Sequence, residues 1–169
     1  SNLTFDSIKI DYNSKKITKR IPDYKNQIIL NSDFLEIDYS KDITQIKAIG
    51  RYSFNDKFDD YEINIINEKD KYDFESSINL KNNKIVIKEV DYNKNTNSSS
   101  VIKLKGNYIK NKDIKIEDAS YVEDNNKILV NNLKLSNDFK VKDIDSLELN
   151  YLNKNKNLNF IKILKKKNK

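Results

Sequence analysis

Apolar and polar residues alternate with a period of two along most of this chain. Ile8, Ile10 and Tyr12 alternate with Lys9 and Asp11, while Ile63 and Ile65 flank Asn64. Ile85 and Ile87 flank Val86, and Val90 and Tyr92 flank Asp91. Ile114 and Ile116 flank Lys115, Leu133 and Leu135 flank Lys134, and Leu147, Leu149 and Tyr151 alternate with Glu148 and Asn150. A pleated strand sends successive side chains to opposite faces, so each segment predicts a strand with one apolar and one solvated face. Antiparallel sheets wet on one side carry this pattern. Helical spacing is scarce, with no long stretch of residues 1–153 placing apolar residues at i, i+3, i+4 and i+7. Near the end, Leu158 and Phe160 alternate with Asn159, and Ile161 and Ile163 then take the opposite parity. We read this segment as a last strand running into a lysine-rich end.

Turn chemistry is unusual, because the chain holds two glycines and one proline. Clusters of Asn, Asp and Lys stand where turns are expected, at residues 81–84, 93–100, 124–127 and 153–157. Asn and Asp tolerate left-handed backbone and bond to their own main chain, so they replace glycine in hairpins. The stretch 93–100 is the most polar and is expected to be the mobile loop. Both glycines sit in one phrase. Ile46-Lys47-Ala48-Ile49-Gly50-Arg51-Tyr52 matches Ile102-Lys103-Leu104-Lys105-Gly106-Asn107-Tyr108, 56 residues further on. A second echo links residues 85–92 to 114–121, with a fainter copy at 141–144. A period near 28 residues predicts repeated strand pairs in an elongated stack. Each glycine then marks a bulge or bend.

Composition narrows the chemistry. The 169 residues include 32 Lys+Arg and 26 Asp+Glu, a net charge of +6. This length fits one domain or a slice of a larger one. The opening Ser1-Asn2 suggests an excised fragment. Ten Tyr and seven Phe argue against plain disorder. Seven lysines and no acid follow Asn153, which leaves 25 basic and 26 acidic residues in the body. We therefore divide the chain into a repetitive β domain, residues 1–153, and a last strand with a basic end, residues 154–169. Arg20 and Arg51 are the only arginines, so the Arg forks usual in nucleic-acid readers are lacking and no nucleic-acid partner is expected. The basic end suits proximity to anionic headgroups. There is no Cys and no His, which removes disulfides, thiolate metal sites and the commonest general base. Asp59-Asp60 and Asp143-x-Asp145 are the candidate hard-cation pairs, without the spacing or glycine of an EF-hand. Ser98-Ser99-Ser100 has no histidine to activate it, and no glycine-rich phosphate cradle exists. No enzyme activity, cofactor or metal is expected, and no apolar run is long enough to span a bilayer as a helix.

Tyr52, Tyr92, Tyr108, Tyr121 and Tyr151 recur near strand ends, where they either pack a core or rim a groove. The phrases KIVIKEVDYN (84–93), KLKGNYIKNKDIKIEDASYV (103–122) and ILVNNLKLSNDFKVKDIDSLELNYLN (128–153) resemble AsmA-like envelope proteins, in particular their YhdP-like branch. The resemblance is one of strand rhythm rather than of an invariant motif. It implies long, twisted, U-shaped sheets with an apolar concave face. It also implies a bridge between inner and outer membranes of a Gram-negative envelope, on the periplasmic side. Lipid acyl chains, phospholipid foremost, would slide along that face. The expected fold is thus all-β, an elongated, twisted antiparallel meander forming an open, taco-like groove. The candidate lining is Ile63, Ile65, Ile78, Leu80, Ile85, Ile87, Ile102, Leu104, Ile114, Ile116, Leu133, Leu135, Leu147 and Leu149. The same residues also suit a closed β-sandwich or barrel that binds protein or glycan. A lipopolysaccharide-export β-jellyroll is a third possibility, sharing the open-groove logic with another cargo.

Overall fold

The computed structural model describes residues 2–166, with side chains from residue 7 on. Lys167 and Lys169 of the basic end lie outside the described residues. The strands are β1 (Asn2–Asp11), β2 (Gln27–Tyr39), β3 (Ile43–Ser53), β4 (Phe58–Glu68), β5 (Lys71–Asn79), β6 (Ile85–Ile87), β7 (Tyr92–Lys94), β8 (Ser100–Ile109), β9 (Ile114–Glu123), β10 (Asn126–Leu135), β11 (Val141–Asp143), β12 (Ser146–Leu152) and β13 (Leu158–Leu164). One helix, α1 (Lys15–Arg20), separates β1 from β2, and a 3-10 turn (Lys88–Val90) separates β6 from β7. Eleven strands form one sheet in the order β1-β2-β3-β4-β5-β8-β9-β10-β12-β13, with β11 beside β10. Every pairing is antiparallel, and β6 and β7 form a separate two-stranded hairpin. The sheet is an open meander, not closed into a barrel. The alternation of the sequence thus becomes the expected antiparallel meander, and the ambiguous segment 158–164 is its last strand.

The turns follow the predicted chemistry. Among the described residues ten non-glycine residues take a positive φ, seven of them Asn or Asp and the others Lys69, Phe139 and Lys156, and neither glycine does. Asn and Asp therefore supply most of the left-handed positions. Both glycines serve close strand approach instead. Gly50 on β3 faces the register shift after Ser32 on β2, and Gly106 on β8 lies at the shift opposite Glu117 on β9. A Cβ on Gly50 would meet Asn31 O at 2.1 Å, and one on Gly106 would meet Lys115 O at 2.2 Å. Each glycine thus lets a bulged neighbour come close.

The two glycine phrases share this device but differ in direction, and the second echo differs in structure. Strands β3 and β8 are three places apart in an antiparallel order, so the two glycine phrases run in opposite directions. Residues 85–92 bend through a turn in the small hairpin, whereas residues 114–121 lie in one strand of the main sheet. Helix α1, which apolar spacing did not reveal, is announced instead by its cap. Ser14 accepts a hydrogen bond from the Ile17 amide, and Lys19 and Arg20 occupy the last turn, where cations suit the helix dipole.

Candidate functional site: the apolar face of the sheet

Directly paired residues of an antiparallel sheet share a face, so the register sorts the side chains. On one face they form rows that run across the strands. The first row is Tyr61, Ile78, Ile102, Tyr121, Ile128, Leu149 and Ile161. The second is Ala48, Ile63, Ser76, Leu104, Ala119, Val130, Leu147 and Ile163. The third is Ile46, Ile65, Phe74, Gly106, Ile116 and Leu133. The fourth is Tyr72, Tyr108, Ile114 and Leu135. Eleven of the fourteen candidate lining residues fall on this face: Ile63, Ile65, Ile78, Ile102, Leu104, Ile114, Ile116, Leu133, Leu135, Leu147 and Leu149. The other three, Leu80, Ile85 and Ile87, belong to the connection between β5 and β8.

That connection, residues 80–99, folds back over the first row. Tyr52, Tyr61, Leu80, Tyr92, Tyr121 and Tyr151 form the buried core there, with Ile85, Ile87 and Val90 packed against it. The Tyr92 ring meets Tyr121 and Tyr151 edge-on, with centroids 6.1 and 6.0 Å away. Ile85 and Ile87 therefore cover the sheet rather than extend its face. Of the five recurring tyrosines, Tyr108 alone stands apart, stacked on Tyr72 at the far end. Tyrosine suits this single-sided core because its ring buries area while its hydroxyl bonds the polar cover. Tyr52 donates to Asn79 O at 2.5 Å, and the Tyr92 and Tyr121 hydroxyls lie 2.7 Å apart. Burial raises all three phenols above their ordinary pKa, Tyr121 to about 12.

A buried polar latch fastens the connection, and the sequence did not announce it. The stretch 93–100 was expected to be mobile, yet Lys94 is 0% exposed. Its ammonium donates to Lys81 O, Asn83 O and Asn95 O at 3.2, 2.9 and 2.9 Å. Asp59 on β4 accepts from the Asn82 amide and from Asn83 Nδ2, at 2.9 and 2.8 Å. Glu123 on β9 accepts from the Tyr92 hydroxyl, from Ser98 Oγ and from Asn126 Nδ2. Desolvation lowers the Lys94 pKa and raises that of Asp59, the latter partly offset by the bonds from Asn82 and Asn83. Polarity marks this stretch as loop in the sequence, but Lys94 also bonds Asn83 and Lys81, 11 and 13 residues away, and Ser98 bonds Glu123, 25 residues away, beyond any local pattern. Outside, α1 is clipped to the connection by Lys19 and Arg20 on Glu89. Unsatisfied buried groups cost about 1–3 kcal/mol each. Lys94→Met is therefore expected to free residues 80–99, read as faster amide exchange there with β3–β5 still protected.

Rows two to four extend beyond this cover. Ile46, Ile63, Ile65, Phe74, Leu104, Ile114, Leu133, Leu135 and Leu147 are all only half-buried, while Ile116 is buried. In the second row the short side chains Ala48, Ser76 and Ala119 alternate with bulkier aliphatic ones from β3 to β9. The row's eight strands span about 34 Å at about 4.8 Å per strand.

The opposite face is polar. A trough of about 680 Å³ lies there, lined by Gln45, Lys47, Glu62, Asn64, Glu75, Ser77, Lys103, Lys105, Asp118 and Ser120, with Ser76 and Leu104 also at its wall. This trough is polar, and the apolar rows occupy the other side of the sheet. The alternation fixes which residues share a face but not which way the sheet bends.

The acidic pairs do not build a cation site. Asp59 and Asp60 are neighbours on one strand and point to opposite faces, Asp59 buried and Asp60 exposed. Asp143 is ion-paired with Lys165, whose ammonium also stands 3.8 Å from Asp145 Oδ1. Among the described residues no cluster of three metal-ligating side chains forms, and no helix is long and apolar enough to cross a membrane. Compared with protein-family models, with curated proteins and with solved structures, the chain matches none.

Proposed function

We propose that this chain is a non-catalytic segment of a lipid-transfer bridge in the cell envelope, of the AsmA-like type, holding acyl chains on its apolar sheet face. The observation that carries this reading is the uncovered part of that face. Ala48 and Ile63 of the second row pack against the core, and Ile116 is buried, but Ile46, Ile65, Phe74, Leu104, Ile114, Leu133, Leu135 and Leu147 stay half-exposed. Exposed apolar area of this extent is the mark of a binding surface. Burying each methylene of an acyl chain contributes about 0.8 kcal/mol. Aliphatic side chains offer no directional contacts, so a chain held on them slides rather than locks. The latched connection closes the tyrosine end, leaving the far strand ends and the sheet edges as entrances.

Lipid mass spectrometry on protein purified without detergent tests this. The expected result is co-purifying phospholipid that is lost in Leu133→Lys/Leu147→Lys protein of unchanged fold. Lipid-free protein from lipid-rich cells contradicts it.

A second reading rests on the polar trough. None of its six charged residues is ion-paired within 4.0 Å among the described residues. Such a surface suits a hydroxyl-rich ligand such as a glycan, whose binding Lys103→Ala and Glu75→Ala would weaken.

A further inference from the structure

Residues 80–99 cover one end of the sheet, at the tyrosine row. The opposite end collects the β2–β3, β4–β5, β8–β9 and β10–β11 turns. The β10–β11 turn, residues 136–140, is tightly stitched there. The Ser136 amide donates to Lys140 O and the Phe139 amide to Ser136 O, both at 2.9 Å. The Lys140 amide donates to Ser136 Oγ at 3.1 Å. The turn holds Phe139 at a φ of 60°, a left-handed conformation that a bulky residue adopts at a cost. Its ring is 67% exposed. Val141 follows, 65% exposed and paired with Leu135. That pairing extends the fourth row, so Tyr72, Tyr108, Ile114, Leu135 and Val141 line this end and lead to Phe139. A single exposed apolar residue is ordinary, but this ring continues an apolar row.

The corner is also basic. Residues 110–113 and 134–142 carry five lysines (Lys110, Lys112, Lys134, Lys140 and Lys142) against Asp113 and Asp138, five minus two, a net charge of +3. Asp113 is shared by Lys134 and Lys142, and Asp138 pairs with Lys140. The next acid, Asp143, is held by Lys165. The adjoining turns, with Glu68, Lys69, Asp70 and Lys71 in one and Lys41 and Asp42 in the other, add equal charge of each sign. We propose that this corner docks on an anionic bilayer, with Phe139 and Val141 entering the headgroup layer and the five lysines set among the phosphates. Apolar side chains inserted beside a basic rim are how interfacial segments hold such a surface. Tyr72 and Tyr108, stacked at the same end, suit the level of the headgroups. Size selects a bilayer over a folded protein. Two protruding side chains bury far less than the ~800 Å² per partner of a standard protein interface, whereas a bilayer accepts a shallow knob and adds the pull of its charge on each lysine. The inference stands apart from the acyl-holding reading. Where both hold, the fourth row opens at the bilayer.

The chain contains no Trp, so Phe139→Trp supplies a single fluorescent reporter. Vesicles of equal parts phosphatidylglycerol and phosphatidylcholine are expected to shift its emission to the blue, and vesicles of phosphatidylcholine alone to leave it unmoved. Leu152→Trp, at the covered end, is the control and is expected not to shift. Co-sedimentation of the wild type with the anionic vesicles is expected to fall with added salt. Phe139→Ala is expected to bind them about tenfold more weakly, with unchanged circular dichroism. Equal shifts at both reporters overturn the proposal, and so does binding that Phe139→Ala leaves unaltered. A wild type that ignores anionic vesicles overturns it too, and returns the corner to a protein partner. Docking by a chain that co-purifies without lipid contradicts the acyl-holding reading alone. Co-purifying lipid on a chain that does not dock contradicts this inference alone.

Discussion

Gly106→Ala is expected to cost more than about 3 kcal/mol, because the added methyl has nowhere to go. Its position lies 2.2 Å from Lys115 O and 2.9 Å from Phe74 Cζ. The phenyl ring can turn away, but the carbonyl belongs to β9 and is held in the sheet. Strands β8 and β9 must separate at the bulge opposite Glu117, and the pairings that follow toward Tyr108 and Ile114 lose register. Overpacking commonly costs 1–3 kcal/mol, and here the obstacle is backbone. For a chain of this size the expected fall in Tm is about 6–12 °C or more. Gly50→Ala is expected to act alike, since its methyl would meet Asn31 O at 2.1 Å. Ser76→Ala, on a neighbouring row of the same face, serves as the control and is expected to stay within about 0.5 kcal/mol. Thermal unfolding followed by far-ultraviolet circular dichroism makes the comparison. Equal Tm values for Gly106→Ala and Ser76→Ala would show that the close approach at the bulge is not needed.

Alkaline pH is expected to unfold the chain steeply. Tyr52, Tyr92 and Tyr121 are all held protonated above the ordinary phenol value of 10.0, with burial the largest cause in each. Above about pH 10 the unfolded chain ionises these phenols while the folded chain keeps their protons. Stability present below that pH is therefore lost as pH rises toward the raised folded values. Each such group contributes about 1.4 kcal/mol per pH unit, so the three together contribute about 4 kcal/mol per unit. Lys94 acts with the opposite sign. Its pKa is lowered below 10.5 by desolvation, so stability rises with pH between its folded and unfolded values. The expected profile is a gain from Lys94 that ends at its unfolded value of 10.5, opposed by a sharp loss from the tyrosines above pH 10. Tyr92→Phe removes one of the three phenols and is expected to make that loss shallower. Urea denaturation at successive pH values reads the slope, and a flat profile from pH 9 to 11.5 would contradict the buried-tyrosine core.

Much of the fold was legible because alternation is a local signal. The strand pattern of Leu147, Leu149 and Tyr151 depends only on neighbours in sequence, and so does the use of Asn and Asp in turns. Which face each residue joins was nearly legible too, since from β3 to β13 along the main path pairing register preserves parity except around the bulge at Glu117. The latch was not legible. Lys94 reads as one more solvated lysine until residues 80–99 fold onto the sheet and surround it with carbonyls. Ile85 and Ile87 read as sheet residues for a related reason, because a short hairpin lying over a sheet has the same alternation as a strand within it. The direction of curvature was hidden as well. Sheet coiling depends on twist and bulges summed over many strands, and no single segment records it.

The most direct test places a benzophenone photoprobe on each face in turn and illuminates the protein in the presence of phospholipid vesicles. Leu133 and Ile65 report from the apolar rows, and Lys103 and Glu75 from the polar trough. The account predicts covalent lipid adducts from Leu133 and Ile65 and none from Lys103 or Glu75. Adducts from the trough positions alone, or from no position, would contradict an acyl-holding apolar face.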